Sequence, residues 1–394
     1  MDITIAKGFK TAGITAGIKK KGGKDLGLIF SEKPAHVAGV FTRNRVQAAP
    51  VLLDKERIKS GVCRAIIVNS GNANCCTGDQ GIEDAKAMTK RTAEKLGLSE
   101  DQVLVASTGV IGEFLPIDTI KSSIPDLVQA LKSGSFDDLA RAIMTTDTFP
   151  KIVSQQGHLK GKSYWVTGVA KGAGMIRPDM ATLLVFICTD IDADADVLQS
   201  CLVEANNRSF NRITVDGDTS TNDTVLLMAN GMSGARIEKS EDQHGFQVVL
   251  NEALLALAKM IVKDGEGATK LVDITVKSAC SREDAMRIAD TIAHSNLVKT
   301  ALFGEDANWG RILAAAGRAN VVLDPNKIDV FFNHVQMVKN GLGCGKAAEA
   351  EATKVLKSPE FTITIDLKLG TESASMLTCD FSVDYVKINA DYRS

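Results

Sequence analysis

A chain of 394 residues is long enough for two domains, or for one large domain with a lid. Hydrophobic residues make up 44% and charged residues 24%, a balance that excludes a disordered or fibrous chain. The 46 Lys and Arg nearly match the 48 Asp and Glu, so no strong field favours nucleic acid or an anionic membrane, and aromatic residues at 5% argue against a stacking platform for single strands.

The first residues, Met1-Asp2-Ile3-Thr4-Ile5-Ala6-Lys7, lack a basic end followed by an apolar stretch, so no signal peptide is predicted and the expected compartment is the cytoplasm. Lys19-Lys20-Lys21-Gly22-Gly23-Lys24 reads as a solvated hairpin tip ahead of strands at 28–30 and 36–41. A strand at 65–68 runs into Asn69-Ser70-Gly71-Asn72-Ala73-Asn74. Ala85, Met88, Thr92 and Leu96 recur at helical spacing, which predicts a helix over 84–96 stopped by Gly97. A strand at 103–106 runs into Ser107-Thr108-Gly109, and helices are expected over 117–132 and 136–144, the second capped by Ser135 with Asp138 three residues on.

Strands at 165–170 and 183–188 bracket a glycine-rich loop. The second is the longest clean apolar run and falls far short of the ~20 residues of a membrane-spanning helix, so none is expected. A helix at 193–206, strands at 212–215 and 224–228, an apolar helix at 246–262 and a strand at 271–276 follow. Ser281 with Asp284 opens a long helix. The tail mixes strands at 328–332 and 361–367 with a helix near 345–356, and 374–383 alternates with Ser375, Leu377, Cys379 and Phe381 on one side. A soft boundary near 276–282 divides a core domain, 1–278, from a smaller C-terminal α/β domain, 279–394.

Eight scattered cysteines without a Cys-x-x-Cys read as buried reduced thiols. Five histidines show no metal-ligand spacing, so no metal is expected. No Gly-x-Ser-x-Gly elbow occurs. Residues 157–163 imitate a phosphate loop, but a strand follows where a helix N-terminus is needed. Residues 216–222 imitate a calcium loop, yet Thr221 replaces the turn glycine and Leu227 the bidentate glutamate. A polar turn beside a pocket is the better reading there.

The segment with most chemical content is Lys171-Gly172-Ala173-Gly174-Met175-Ile176-Arg177-Pro178-Asp179-Met180-Ala181-Thr182-Leu183-Leu184. Its glycines let backbone approach another group closely, and a threonine opens a buried strand. A break before Thr182 would give it an α-amine with a pKa of roughly 8, able to act as base for its own hydroxyl. Taken by pattern alone, Thr182 is an ordinary strand residue.

Several blocks in order alter that reading. They are 69–74, Ser107-Thr108-Gly109-Val110-Ile111-Gly112, Met144-Thr145-Thr146-Asp147-Thr148, 171–184, Val215 through Asp223, and Asp264-Gly265-Glu266-Gly267-Ala268-Thr269-Lys270. Phe303 through Arg311 and the terminal Asn389-Ala390-Asp391-Tyr392-Arg393-Ser394 complete them. With these blocks the chain resembles the ornithine acetyltransferase, or glutamate N-acetyltransferase, family of arginine biosynthesis over nearly its whole length. Cys75-Cys76 is a minor variation in its block.

The resemblance implies an α+β fold with an αββα sandwich core, an architecture shared with certain self-processing aminopeptidases. It implies self-cleavage between Ala181 and Thr182, giving an α chain, 1–181, and a β chain, 182–394, that stay associated as two copies of each. Thr182 would be the N-terminal nucleophile, carrying acetyl from N2-acetylornithine to glutamate in a ping-pong scheme. Thr108 and Gly109 match the oxyanion-stabilising positions. Thr148, Lys171, Thr182, Glu266, Asn389 and Ser394 match the substrate-contacting ones, with Lys171 suited to a carboxylate and Glu266 to an ammonium or a proton. No cofactor, nucleic acid or membrane is implied; acetyl-CoA stays open as a second donor. A self-cleaving aminopeptidase or amidase with water as acceptor, and an unprocessed amino-acid-binding homologue, are the competing readings.

Overall fold

The computed structural model describes residues 4–177 and 183–390. Ala181, Thr182 and Ser394, all expected in the site, lie outside the described residues. The chain separates into two compact units, Met1–Asn211 with Asp218–Ile261, and Arg212–Gly217 with Val262–Ser394. The second unit therefore includes the strand at 271–279, which precedes the 278/279 division read from sequence.

In chain order the first unit runs β1 (Phe9–Ile14), β2 (Leu26–Phe41), α1 (Ala49–Arg57), β3 (Val62–Asn72), α2 (Gly78–Leu96), β4 (Val103–Val110), α3 (Ile117–Gln129), β5 (Lys132–Ser133) and α4 (Asp137–Ile143). It continues with β6 (Lys151–Leu159), β7 (Lys162–Lys171), β8 (Leu184–Thr189), α5 (Ala195–Arg208), β9 (Thr224–Ala229) and α6 (Ser240–Lys263). The strands form one sheet in the order β4-β3-β2-β9-β8-β7-β6, with β1 on β2 and β5 beyond it. β3 with β4 and β8 with β9 are parallel; the other pairs along this path are antiparallel.

Period-two alternation explains the layering. Ala65 and Ile67 of β3 face Met88 of α2 and Ile120 and Ile124 of α3. Ile66 and Val68 turn to the opposite face, where they share one apolar layer with Val169, Phe186, Leu226 and Met228 from β7, β8 and β9. The two halves of the sheet thus face each other. On the far side α5 locks to β2 through Gln199, which exchanges two hydrogen bonds with the Gly39 backbone. α6 lies on β7, with the Phe246 and Tyr164 rings 6.0 Å apart. Helices outside two β layers make the expected α+β, αββα-type sandwich.

By length and composition α6 could cross a membrane, a feature that a search for unbroken apolar runs does not find. Its buried Phe246, Leu250, Leu254, Leu257 and Ile261 recur at helical spacing and mark a core helix instead.

The second unit runs β10 (Leu271–Ala279), α7 (Arg282–Ala293), α8 (Asn296–Phe303), α9 (Trp309–Gly317), β11 (Asp329–Phe332), β12 (Val335–Lys339), β13 (Leu342–Gly343), α10 (Lys346–Leu356), β14 (Glu360–Asp366), β15 (Glu372–Cys379) and α11 (Val383–Ala390). Its sheet order is β13-β12-β11-β14-β10-β15. Val272, Ile274 and Val276 of β10 bury against Ala285, Ile288 and Ile292 of α7.

Several local expectations need correction. The strands at 28–30 and 36–41 are one long strand, β2, whose pairing with β3 is irregular between Phe30 and Ala35. Ser135 does not cap α4 through Asp138: its hydroxyl goes to Asp137, and Asp138 pairs with Lys24 and Lys132. Residues 212–215 are not a strand. A short 3-10 turn ends at Arg212, and Ile213 makes only an isolated bridge to Leu377. The helix opened by Ser281 ends at Ala293, and α8 and α9 follow separately. All eight cysteines are thiols, but Cys76, Cys280 and Cys344 are exposed.

Candidate active site

Parallel β3 and β4 end side by side, and the candidate oxyanion residues lie there. The backbones of Gly71 and Gly109 approach so closely that a Cβ on Gly109 would sit 2.3 Å from Gly71 C and 2.5 Å from Asn72 N. Gly109 also has a φ of +135°, which favours glycine. Pairing slips here, so that Asn72 opposes both Thr108 and Val110. An irregularity of this kind re-aims the residues at a strand end.

Asparagines fix the irregular ends. Asn69 accepts from the Ser107 hydroxyl at 2.6 Å and donates to Asn72 O at 2.9 Å. Asn222 donates to Ala73 O at 2.6 Å and to Ser107 O at 2.8 Å, tying the two loops together. These are buried amides with satisfied donors, the arrangement that specifies one geometry.

Thr108, 4% exposed, meets Lys171 at the end of β7: the ammonium donates to its hydroxyl at 3.4 Å. Asp147 anchors this lysine's neighbourhood. Its Oδ1 accepts from Lys151 Nζ at 2.7 Å and from Gly172 N at 2.8 Å, and its Oδ2 from Thr145 N at 2.9 Å. Burial alone would raise its carboxyl pKa, but the Lys171 and Lys151 charges and the Gly172 N–H outweigh it and hold the value at about 2. Thr148, next in sequence, is exposed.

Lys19 is not a solvated tip. Asp25 accepts the N–H groups of Ala16, Ile18 and Lys19 and draws the loop inward. The Lys19 stem passes over Gly71, and its ammonium donates to Lys24 O at 2.7 Å. Burial lowers its pKa, and the charge of Lys171 acts in the same direction against Asp25 and Asp147.

Downstream of the glycine-rich loop, Leu183 donates its N–H to Asp223 Oδ1 at 3.0 Å. In the second unit Glu266 and Asn389 meet: the amide donates to Glu266 Oε2 at 2.7 Å. The Glu266 loop is clamped by Asp380, which accepts from the Thr269 and Lys270 N–H groups, and by Ser382, which donates to Gly267 O. Phe381 stacks on Tyr385 at 4.4 Å and braces α11, which carries Asn389.

The sequence-predicted residues thus fall into two described groups, Thr108, Gly109 and Lys171 in one unit and Glu266 with Asn389 in the other. Sequence reasoning gave no role to Asp147, Lys151, Asn222 or Asp223. Asp147, Asn222 and Asp223 lie inside the matching blocks, which was the available signal; Lys151 lies outside them and carried none. The first group sets the Thr108 hydroxyl and the buried Lys171 ammonium beside Gly109, a glycine at positive φ.

The model of the ArgJ family matches residues 10–394. The arginine biosynthesis bifunctional protein ArgJ of Geobacter sulfurreducens is 55% identical over 390 residues, covering 98% of this chain and 99% of that one. Its counterpart from Syntrophotalea carbinolica is 52% identical over 389 residues, with coverages of 98% and 99%. The crystal structure of the arginine biosynthesis bifunctional protein ArgJ of Bacillus halodurans is 41% identical with a TM-score of 0.50, covering 52% of this chain and 97% of the solved one. The family match and the relatives define an acyltransferase. The chain belongs to the ArgJ family, whose members are enzymes of arginine biosynthesis.

Proposed function

We propose that this enzyme cleaves itself between Ala181 and Thr182 and then moves acetyl from N2-acetylornithine to glutamate through an acetyl-Thr182 ester. In the first half-reaction the Thr182 hydroxyl attacks the acetyl carbonyl, its proton passes to the departing amine, and ornithine leaves. In the second, the glutamate amine attacks the ester and the threonine hydroxyl is restored. Thr108 and the Gly109 N–H stabilise the oxyanion in both steps, an effect of a few kcal/mol per donor. Lys171 serves a substrate carboxylate and Glu266 an ammonium or a proton, with Thr148, Asn389 and Ser394 as further substrate contacts. The mature enzyme holds two copies of each chain.

The observation that carries this reading is the convergence of the Lys171 ammonium, the Thr108 hydroxyl and the Gly109 turn, with matched relatives over the whole chain. The Bacillus halodurans chain supports the two-chain form: 97% of it spans only 52% of this one.

Intact-mass measurement with N-terminal sequencing tests the cleavage. The 394-residue, 42.0 kDa chain should yield pieces of 181 and 213 residues, about 19 and 23 kDa, the larger beginning Thr182-Leu183-Leu184. Thr182→Ala should remain one intact, inactive chain; normal processing of that variant rejects Thr182 as nucleophile. Assays of the processed enzyme with N2-acetylornithine or acetyl-CoA as donor, and glutamate or water as acceptor, read the substrate class. Release of acetate without acetylglutamate would point to a hydrolase instead.

A further inference from the structure

Leu183 follows the proposed nucleophile, and both of its peptide groups are held by consecutive residues. Its C=O accepts from Thr224 N at 3.1 Å, which begins ordinary pairing of β8 with β9. Its N–H donates instead to a side chain, Asp223 Oδ1, at 3.0 Å. Asp223 is 0% exposed, and its own C=O is fixed by the Thr42 N–H at 3.0 Å. Its second oxygen, Oδ2, is buried and makes no well-formed hydrogen bond among the described residues. A buried carboxyl with one oxygen lacking a well-formed hydrogen bond is costly, and the chain carries it at the point where β8 starts.

We propose that Asp223 is a positioning residue for the residue 182 nucleophile, gripping the 182–183 peptide so that the nucleophile is aimed for both self-cleavage and acetyl transfer. The inference rests on the function proposed above. The physical argument is covalent. The Leu183 N–H and the Thr182 C=O and Cα belong to one planar peptide unit, so a rigid acceptor on that N–H fixes the plane from which the threonine side chain departs. Reacting groups tolerate little error, since a displacement of about 1 Å costs on the order of 100-fold in rate. Burial pushes the Asp223 carboxyl well above the usual carboxylate range, against the Leu183 N–H, the Ser220 and Thr42 hydroxyls and the charge of Lys171. The grip on the Leu183 N–H needs only an oxygen acceptor, a task an amide can also perform.

The experiment compares full-length wild type, Asp223→Ala and Asp223→Asn. It follows fragment appearance after synthesis, kcat and KM for acetyl transfer, and thermal unfolding. Asp223→Ala should slow cleavage and lower kcat by about ten-fold or more with KM within about three-fold. Asp223→Asn, whose amide oxygen accepts the same N–H, should rescue both rates to within about three-fold of wild type. If Asp223→Ala does not fold, Asp223→Ser replaces it, since its shorter side chain cannot reach the same N–H, and the same loss is expected. Processing and turnover of Asp223→Ala or Asp223→Ser near wild-type rates overturn the proposal. So does an Asp223→Asn as slow as the alanine variant, which would assign the carboxyl a proton-transfer role. A wild-type chain that neither cleaves nor transfers acetyl overturns the function itself; a working wild type beside a working Asp223→Ala overturns only the role of Asp223.

Discussion

Asp147 faces two lysines and two backbone N–H groups from inside the protein, with none of its side chain exposed. Its folded pKa, about 2, lies below the ordinary 3.8. The ionised form is therefore favoured by folding, and the group contributes stability of roughly 2 kcal/mol at neutral pH. The contribution is complete above the unfolded value and is lost as the pH falls from about 4 through about 2. Asp147→Asn should lower stability at pH 7, and the gap from wild type should narrow in acid. Urea unfolding at pH 7 and pH 3 checks this, and a gap that does not change with pH would refute the account. Nothing local in Met144-Thr145-Thr146-Asp147-Thr148 announces this role. The partners of Asp147 are legible only once β7 has brought Gly172 back against it, 25 residues on. The same holds for Asn222, whose bonds to Ser107 and Ala73 span 115 and 149 residues. Lys19 was misread for a related reason: a run of lysines looks solvated until a buried aspartate a few residues away pulls one of them in.

Among elements, those set by local rules were legible. The helix expected over 84–96 follows its apolar spacing and stops where Gly97 adopts a φ of +68°, although it starts earlier, at Gly78. Ser281 caps α7 by accepting from Asp284 N at 3.0 Å, as the spacing predicts. Ser135 looked equivalent, but Asp137 captured its hydroxyl and tertiary ion pairs captured Asp138. The β-branched run at 213–215 reads as a strand but finds only a single bridging partner, and pairing decides what propensity cannot. The β3–β4 crossing has a sharper consequence. Gly109→Ala would place a methyl group against Gly71 and Asn72 backbone, which cannot swing aside as a side chain would. A loss of about 2–4 kcal/mol is expected, together with loss of turnover. Thermal unfolding beside an acetyl-transfer assay measures both; a variant that unfolds and works like wild type would mean the close approach is not required.

For the whole molecule, the alternation of β and α runs was enough to place most strands, and the alternating burial of β3 shows why a two-layer sandwich results. Sheet order was not readable, because it depends on pairings between distant segments. That order has a consequence for a chain cut after residue 181. β4, β3, β2, β7 and β6 belong to the first piece, while β9 and β8 belong to the second and lie in the middle of the same sheet. β9 is joined to β2 over 36–41 and β8 to β7 over 166–171, six residue pairs on each side. The two pieces are dovetailed, and neither holds the sheet of the first unit complete. Produced separately, 1–181 and 182–394 should each be insoluble, and activity should return only when they are refolded together; two independently soluble halves would contradict the strand order. Maturation would therefore release a chain end without releasing a chain, and the protein would carry its own nick as a joint that the surrounding strands hold shut.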